Sequence, residues 1–174
     1  MKLIHTALKA EAKPLIEHFK LNCIGVKPLK LYKRDSLLLC VSGMGRENTL
    51  KIRELFKNYS IKKAINIGIA GCKDESIKIG SIFTCRKNLD SFSYASLTTV
   101  DAPLSDKKTL ETTLVDMEAE FFELTSREFL QDEDIYILKI VSDYLDITIP
   151  KKEFVWKIIE KNLQNISQIP ILKD

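Results

Sequence analysis

Short apolar runs of β-strand character alternate along this chain with stretches whose apolar residues recur at helical spacing. Residues 3–8 read as a first strand. Lys9-Ala10-Glu11-Ala12 then turns into a helix with Leu15, Ile16 and Phe19 as its buried stripe. Pro14 suits the first turn, where a missing N–H does no harm. Residues 29–32 and 37–41 form a hairpin with Lys33-Arg34-Asp35 at its turn. The second of these strands ends in Ser42-Gly43-Met44-Gly45, where two glycines let the backbone approach a ligand closely. The helix beyond it carries Leu50, Leu55 and Phe56 inward. Residues 64–67 make a short strand ending in a second small-residue loop, Gly68-Ile69-Ala70-Gly71. Residues 77–84 and 94–100 are further strands, and 105–113 is a polar connection. Residues 135–141 are a strongly apolar strand ending in Ser142-Asp143. Residues 150–166 are the last helix, with Phe154, Val155, Ile158, Ile159 and Leu163 on its core face. This order argues an α/β chain with a mostly parallel or mixed sheet.

Val115-Asp116-Met117-Glu118-Ala119 is the stretch around which the rest is organised. Leu114-Val115 is an apolar lead-in strand, and Asp116 suits a cap, its carboxylate accepting N–H groups of the helix that follows. Phe121, Phe122, Leu124 and Phe129 then recur at helical spacing. Glu118 therefore falls in a first helical turn at the carboxyl end of a strand, the edge at which open α/β sheets bind ligands. Glu11 occupies the same kind of position. A first-turn glutamate is also favoured by the helix dipole alone, and both residues carry that plain alternative.

Composition narrows the function. The 174 residues, 45% hydrophobic, are enough for one domain with a sizeable core. The net charge is +3, from 27 basic and 24 acidic residues, and the lysines are spread, so no nucleic-acid patch stands out. No apolar run is long enough to span a bilayer, and the N-terminus leads straight into a strand pattern, with no signal-peptide h-region. Cys23, Cys40, Cys72 and Cys85 form no CxxC pair, which points to reduced thiols in the cytoplasm. His5 and His18 have no partner at ligand spacing, so no metal is expected, and His18 is placed on a solvated helix face.

Taken in order, these junctions resemble the purine nucleoside phosphorylase family, most closely its methylthioadenosine/S-adenosylhomocysteine nucleosidase branch. The matching stretches are Ala7-Leu8-Lys9-Ala10-Glu11-Ala12, Ser42-Gly43-Met44-Gly45, Ile65-Asn66-Ile67-Gly68-Ile69-Ala70-Gly71, Ile79-Gly80-Ser81-Ile82, Val115-Asp116-Met117-Glu118-Ala119 and Val141-Ser142-Asp143. The resemblance implies a three-layer α/β/α fold with a central mixed sheet, nucleoside phosphorylase-like, as a single domain over residues 1–174. It also implies a homodimer acting on a small purine nucleoside without a cofactor. In that family the bond between a purine and C1′ of ribose is cleaved. Carried over, Asp143 protonates or hydrogen-bonds the purine at N7 and Glu11 is base to the attacking water. Glu118 holds ribose hydroxyls and favours the oxocarbenium-like sugar, and Met117 packs on the ribose. Ser142 orients Asp143, and Leu104 offers its backbone to the base edge. Lys139 stands where the nucleosidases carry a basic residue near the water, and the loop positions Gly43, Gly68 and Ile69 border the substrate.

This chain departs from the family pattern at several places. Ile69 replaces a polar serine, and Pro103 stands where an aromatic residue stacks on the base. The segments 86–94 and 105–113 are shortened, and the chain is smaller than the family norm. The expected activity is an N-ribosyl hydrolase acting on a purine nucleoside or a 5′-modified adenosine, with water favoured over phosphate as nucleophile. Two alternatives stay open: a noncatalytic nucleoside-binding relic of the same fold, and a phosphate-dependent phosphorylase, in which Arg46 beside Gly45 could touch the anion.

Overall fold

A computed structural model describes residues 1–102, 104, 107–145 and 150–172. Pro103, singled out above, and residues 105–106 of the polar connection lie outside the described residues. The elements are, in order, β1 (Lys2–Thr6), α1 (Lys9–His18), β2 (Asn22–Gly25), β3 (Lys30–Arg34), β4 (Leu37–Val41), α2 (Arg46–Leu50), α3 (Arg53–Asn58), β5 (Lys63–Cys72), β6 (Ile82–Thr84), β7 (Leu97–Thr99), β8 (Leu114–Asp116), α4 (Ala119–Arg127), β9 (Ile135–Asp143), α5 (Lys152–Lys161) and α6 (Leu163–Ser167).

β4, β1, β5 and β9 lie side by side and parallel, so Val41, Thr6, Cys72 and Asp143 end at one edge of the sheet. β2 and β3 extend the sheet antiparallel beyond β4, and β6 pairs antiparallel with β9. The sheet is therefore mixed, as expected. Its two faces are separately filled with buried apolar side chains. On one, Ile4, Leu39, Ile65, Ile67, Leu138 and Ile140 pack under Leu15 of α1, Val155, Ile158 and Ile159 of α5, and Ile166 of α6. On the other, Leu3, Leu38, Ala64, Ile135 and Ile137 pack under Leu55 and Phe56 of α3 and Phe122 of α4. The alternation along β1 explains the split: successive side chains point to opposite faces, sending Leu3 one way and Ile4 the other.

The predicted elements shift in several places. β5 does not stop at Ile67; it runs on through Gly68 and Gly71 to Cys72, because β9 supplies a parallel partner as far as Asp143. The second small-residue loop is thus strand. Residues 77–84 keep only Ile82–Thr84 as strand, and residues 94–100 only Leu97–Thr99. The edge strand β2 has no apolar alternation and was not legible. The hairpin turn is tighter than predicted: Lys33 and Arg34 are in strand, and Asp35 takes a positive φ of 50°. Pro14 sits in the second turn of α1, which starts at Lys9, so it takes a helical donor away from the Ala10 carbonyl. Leu50 is only half-buried, because α2 and α3 are separate short helices. Leu124 and Phe129 are 53% and 41% exposed, since only the stripe through Phe122 and Ser126 faces the sheet, and Phe129 stacks instead on Phe56. The last helix breaks at Asn162, whose side-chain amide bonds the carbonyls of Gly80 and Ile158.

Candidate active site

The shared carboxyl edge of the parallel strands opens into one cleft. Glu11, Ile69, Leu104, Met117, Glu118, Ser142 and Asp143 all line it. β8 reaches the same edge from the other direction. It pairs antiparallel with only the last residues of β5, Val115 opposite Gly71, so its end returns over the mouth of the sheet and delivers Met117 and Glu118 there.

Glu11 is the third residue of α1. Its Oε2 accepts the backbone N–H of Ala7 at 3.0 Å and of Leu8 at 2.8 Å, and Oε1 accepts that of Ile69 at 2.9 Å. The side chain thus closes the N-terminus of its own helix and ties it to β5. Burial raises its pKa, an effect that the three N–H donors and the nearby Lys139 oppose without cancelling. A carboxylate whose affinity for a proton is raised above its ordinary value is a stronger base than a solvated one.

Gly68 explains how Glu11 lies so close to the strand. A Cβ built there would stand 3.0 Å from Glu11 Oε1 and 3.3 Å from Lys139 Nζ, so only glycine leaves room for the carboxylate. Gly68 itself does not line the cleft; it makes space behind it. Gly43 is not at the cleft either. Its N–H bonds the Ala7 carbonyl, and the glycine of this loop that meets a cleft carboxylate is Gly45, whose N–H donates to Glu118 Oε1 at 2.8 Å. Gly45 has a φ of 81°, a backbone conformation that favours glycine.

Glu118 is the N-cap of α4, just ahead of its first turn, and is buried. Its pKa is pushed up to about 7, first by burial and then by Asp116 and Glu11, against the pull of Lys139 and the Gly45 N–H. Asp116 supports the helix start as expected, accepting the N–H of Ala119 at 2.8 Å. Ser142 donates its hydroxyl to Asp143 Oδ2 at 2.6 Å, and the N–H of Leu145 donates to Oδ1 at 3.0 Å. Both contacts hold the Asp143 carboxylate in one orientation.

Lys139 is buried in mid-strand. Its Nζ lies 2.6 Å from Asp116 Oδ2 and does not line the cleft. Nothing in the sequence spacing pairs residues on two different strands, so this contact was not foreseen. His5 was weighed in the sequence only as a metal ligand. It is buried, and its Nε2 lies 2.8 Å from Ser42 Oγ while Asn66 Nδ2 lies 2.8 Å from its Nδ1. Asn66 Nδ2 only donates, so Nδ1 accepts and Nε2 carries the proton. Ser42 passes the chain on to the Gly43 carbonyl at 2.8 Å, which braces the glycine loop. Burial and then Lys139 hold the His5 pKa down at about 3, so the ring stays neutral.

A second groove continues from the cleft, sharing Leu8, Met44 and Pro150 with it and running past Val155 and Trp156 between α1 and α5. No local pattern announces this groove, because its walls come from opposite ends of the chain.

Solved structures with this architecture include the futalosine hydrolase of Helicobacter pylori, at a TM-score of 0.79 and 13% identity over 95% of each chain. A mutant 5′-methylthioadenosine/S-adenosylhomocysteine nucleosidase of the same species, solved with 5′-methylthioadenosine in the active site, matches at 0.77 and 14%, covering 95% of this chain and 96% of that one. The Campylobacter jejuni nucleosidase matches at 0.76 and 16%, with the same coverage. The chain has the nucleosidase fold. No protein-family profile matches it, and no curated protein matches it by sequence. At these identities the likeness is one of architecture, and the chemistry rests on the residues of the cleft.

Proposed function

We propose that this protein is an N-ribosyl hydrolase that cleaves the purine–ribose bond of a nucleoside or a 5′-modified adenosine. The observation that carries the reading is the convergence of Glu11, Glu118 and Asp143 on one cleft, from three separate junctions of the sheet. In this reading Asp143, held by Ser142, donates to N7 and makes the base a better leaving group. Glu118 accepts the ribose hydroxyls, and its charge favours the cationic sugar as the bond breaks. Glu11 takes the proton of the attacking water. Met117 packs on the ribose, and Leu104 presents its backbone to the base. The apolar groove beyond Met44 and Pro150 suits an apolar 5′ substituent, of the kind that 5′-methylthioadenosine carries in the neighbouring nucleosidase.

Water is favoured over phosphate as the nucleophile because no Lys or Arg is among the described residues lining the cleft, and a phosphate dianion would lack a cationic partner there. One observation favours a second, binding-only reading: all of Glu11's observed hydrogen bonds go to backbone N–H groups, as a structural clamp would require. Release of free adenine from 5′-methylthioadenosine, assayed with and without phosphate, separates the cases. Release in both supports the hydrolase, release only with phosphate a phosphorylase, and binding without release the relic. We also propose a homodimer, on the family resemblance, and a cytoplasmic setting, supported by four cysteines of which none is joined in a disulfide. Light scattering on the purified protein tests the dimer.

A further inference from the structure

The cleft carboxylates share a hidden neighbourhood. Behind Gly68 lies one buried cation, the Lys139 ammonium, among three carboxylates: Asp116 in direct contact, and Glu11 and Glu118 nearby. Both partners of the direct pair are 1% exposed. Asp116 is held on every side. Its Oδ1 accepts the Thr99 hydroxyl at 2.6 Å, and its Oδ2 accepts the Ala119 N–H at 2.8 Å and meets Lys139 Nζ at 2.6 Å. Thr99 Oγ1 in turn accepts the N–H of Glu120 at 3.0 Å, so the same assembly grips the first turn of α4, beside Glu118.

Three carboxylates around one ammonium cannot all be neutralised by it. The ion pair at 2.6 Å decides which one is. We propose that Asp116 is a positioning residue of this active site: it anchors the Lys139 ammonium to itself, so that Glu11 and Glu118 face the cleft as proton-accepting groups rather than as partners of a lysine. The proposal rests on the hydrolase reading above for its catalytic meaning and on the ion-pair geometry for its physical content. The groups around the cluster are consistent with it. From α1 comes Glu11, from β1 the neutral His5, from β8 Asp116, from β9 Lys139, and after β6 the Cys85 thiol, which burial pushes up to about 12. Arg46, at the start of α2, lies over the Phe121 ring, 5.3 Å from its centroid. Burial lowers the Lys139 pKa, but Asp116 first and then Glu118 and Glu11 outweigh that, so the lysine stays charged.

The sign of the expected effect follows from the charges. Lys139 pulls the Glu118 pKa down and Asp116 pushes it up. Asp116→Asn leaves the ammonium to act on Glu118 without the Asp116 counter-charge, and the midpoint of Glu118 falls by about one unit or more. The acid limb of kcat/KM moves to lower pH with it. Lys139→Gln moves both the other way. A merely structural role would lower activity in both variants without shifting the limbs in opposite directions.

The experiment follows the Glu118 carboxyl by carbon-13 NMR titration, assigned by its loss in Glu118→Gln, alongside the pH profile of adenine release. Wild type, Asp116→Asn, Lys139→Gln and the double variant are compared. If Asp116→Asn does not fold with its naked ammonium, Lys139→Gln against the double variant isolates Asp116, and the double variant must then have the lower midpoint. Opposite shifts in the single variants, or that ordering, support the proposal. Shifts of one sign in both single variants, or an unmoved midpoint when Asp116 is neutralised, overturn it. A wild type that releases no base while its midpoints still separate retires the hydrolase reading and leaves the charge arrangement standing.

Discussion

Glu11 and Glu118 stand at the same kind of junction, one after β1 and one after β8, yet the fold uses them differently. Glu11 sits inside its helix and accepts three backbone N–H groups, two from the β1–α1 junction and one from β5. Glu118 sits one step ahead of its helix and accepts one N–H, from the glycine loop beyond β4. The first carboxylate is a clamp that also faces the cleft; the second keeps most of its accepting capacity for something else. In the proposed reading those free acceptor positions take a pair of ribose hydroxyls. In both, burial is the largest influence and raises the pKa, so the difference between them is one of hydrogen bonding rather than of desolvation. A helix-start glutamate is therefore a local stabiliser whose remaining accepting capacity is set by the donors that the opposite strand and loop supply.

The sharpest break in this comparison is Gly68→Ala. The added methyl would stand 3.0 Å from Glu11 Oε1 and must displace either the clamp or the strand. Base release is expected to fall by about 10³-fold, within the range ascribed to a positioned base, with a lower Tm. Release at the wild-type rate would remove Glu11 from the mechanism. Asp143→Asn, which leaves both glutamates untouched, serves as the reference: release should fall by about 10²-fold or more while the melting curve stays near wild type. Unchanged turnover would exclude Asp143 as the acid.

Glu118→Gln tests the other side. A hydrogen bond to a charged group contributes about 1.5–3 kcal/mol. If it strengthens as the sugar becomes cationic, kcat should drop roughly tenfold to a hundredfold while nucleoside affinity measured by calorimetry changes less. An equal loss in both would make the contact one of ground-state binding only.

The smallest effect is in stability against pH. The folded pKa of Glu118, about 7, lies above its ordinary value of 4.5. The folded state thus binds this proton more tightly than the unfolded chain. The stabilisation is complete below pH 4.5 and is lost as pH rises through 7, at most about 3 kcal/mol. His5, held down at about 3, has the opposite sign below pH 6.5. Only the difference between wild type and Glu118→Gln in urea unfolding at pH 5 and pH 8 isolates the glutamate. The variant should gain on wild type at the higher pH, and parallel curves would place Glu118 in a more solvated setting than the structure shows.

Much of this site was legible in the chain. A strand followed at once by a helix-start carboxylate is a local pattern, and Glu11 and Glu118 carry it in their own neighbours. Asp143, the third carboxylate, is equally local, closing the apolar run of β9. The β3–β4 hairpin and the apolar strand β9 are equally local, because side-chain alternation and turn residues act over a few positions. The sequence by itself thus determined the α/β order and where the carboxylates stand relative to their strands. It did not determine that β8 returns antiparallel over the end of β5, that Gly45 rather than Gly43 meets Glu118, or that Gly68 and Gly71 belong to a strand. Nor did it show Lys139 seated against Asp116, or the groove walled by Leu8 and Trp156. Those features depend on partners far apart in the chain. A register, a close approach or a buried ion pair exists only once two distant strands are side by side, and no periodicity within either strand encodes the other.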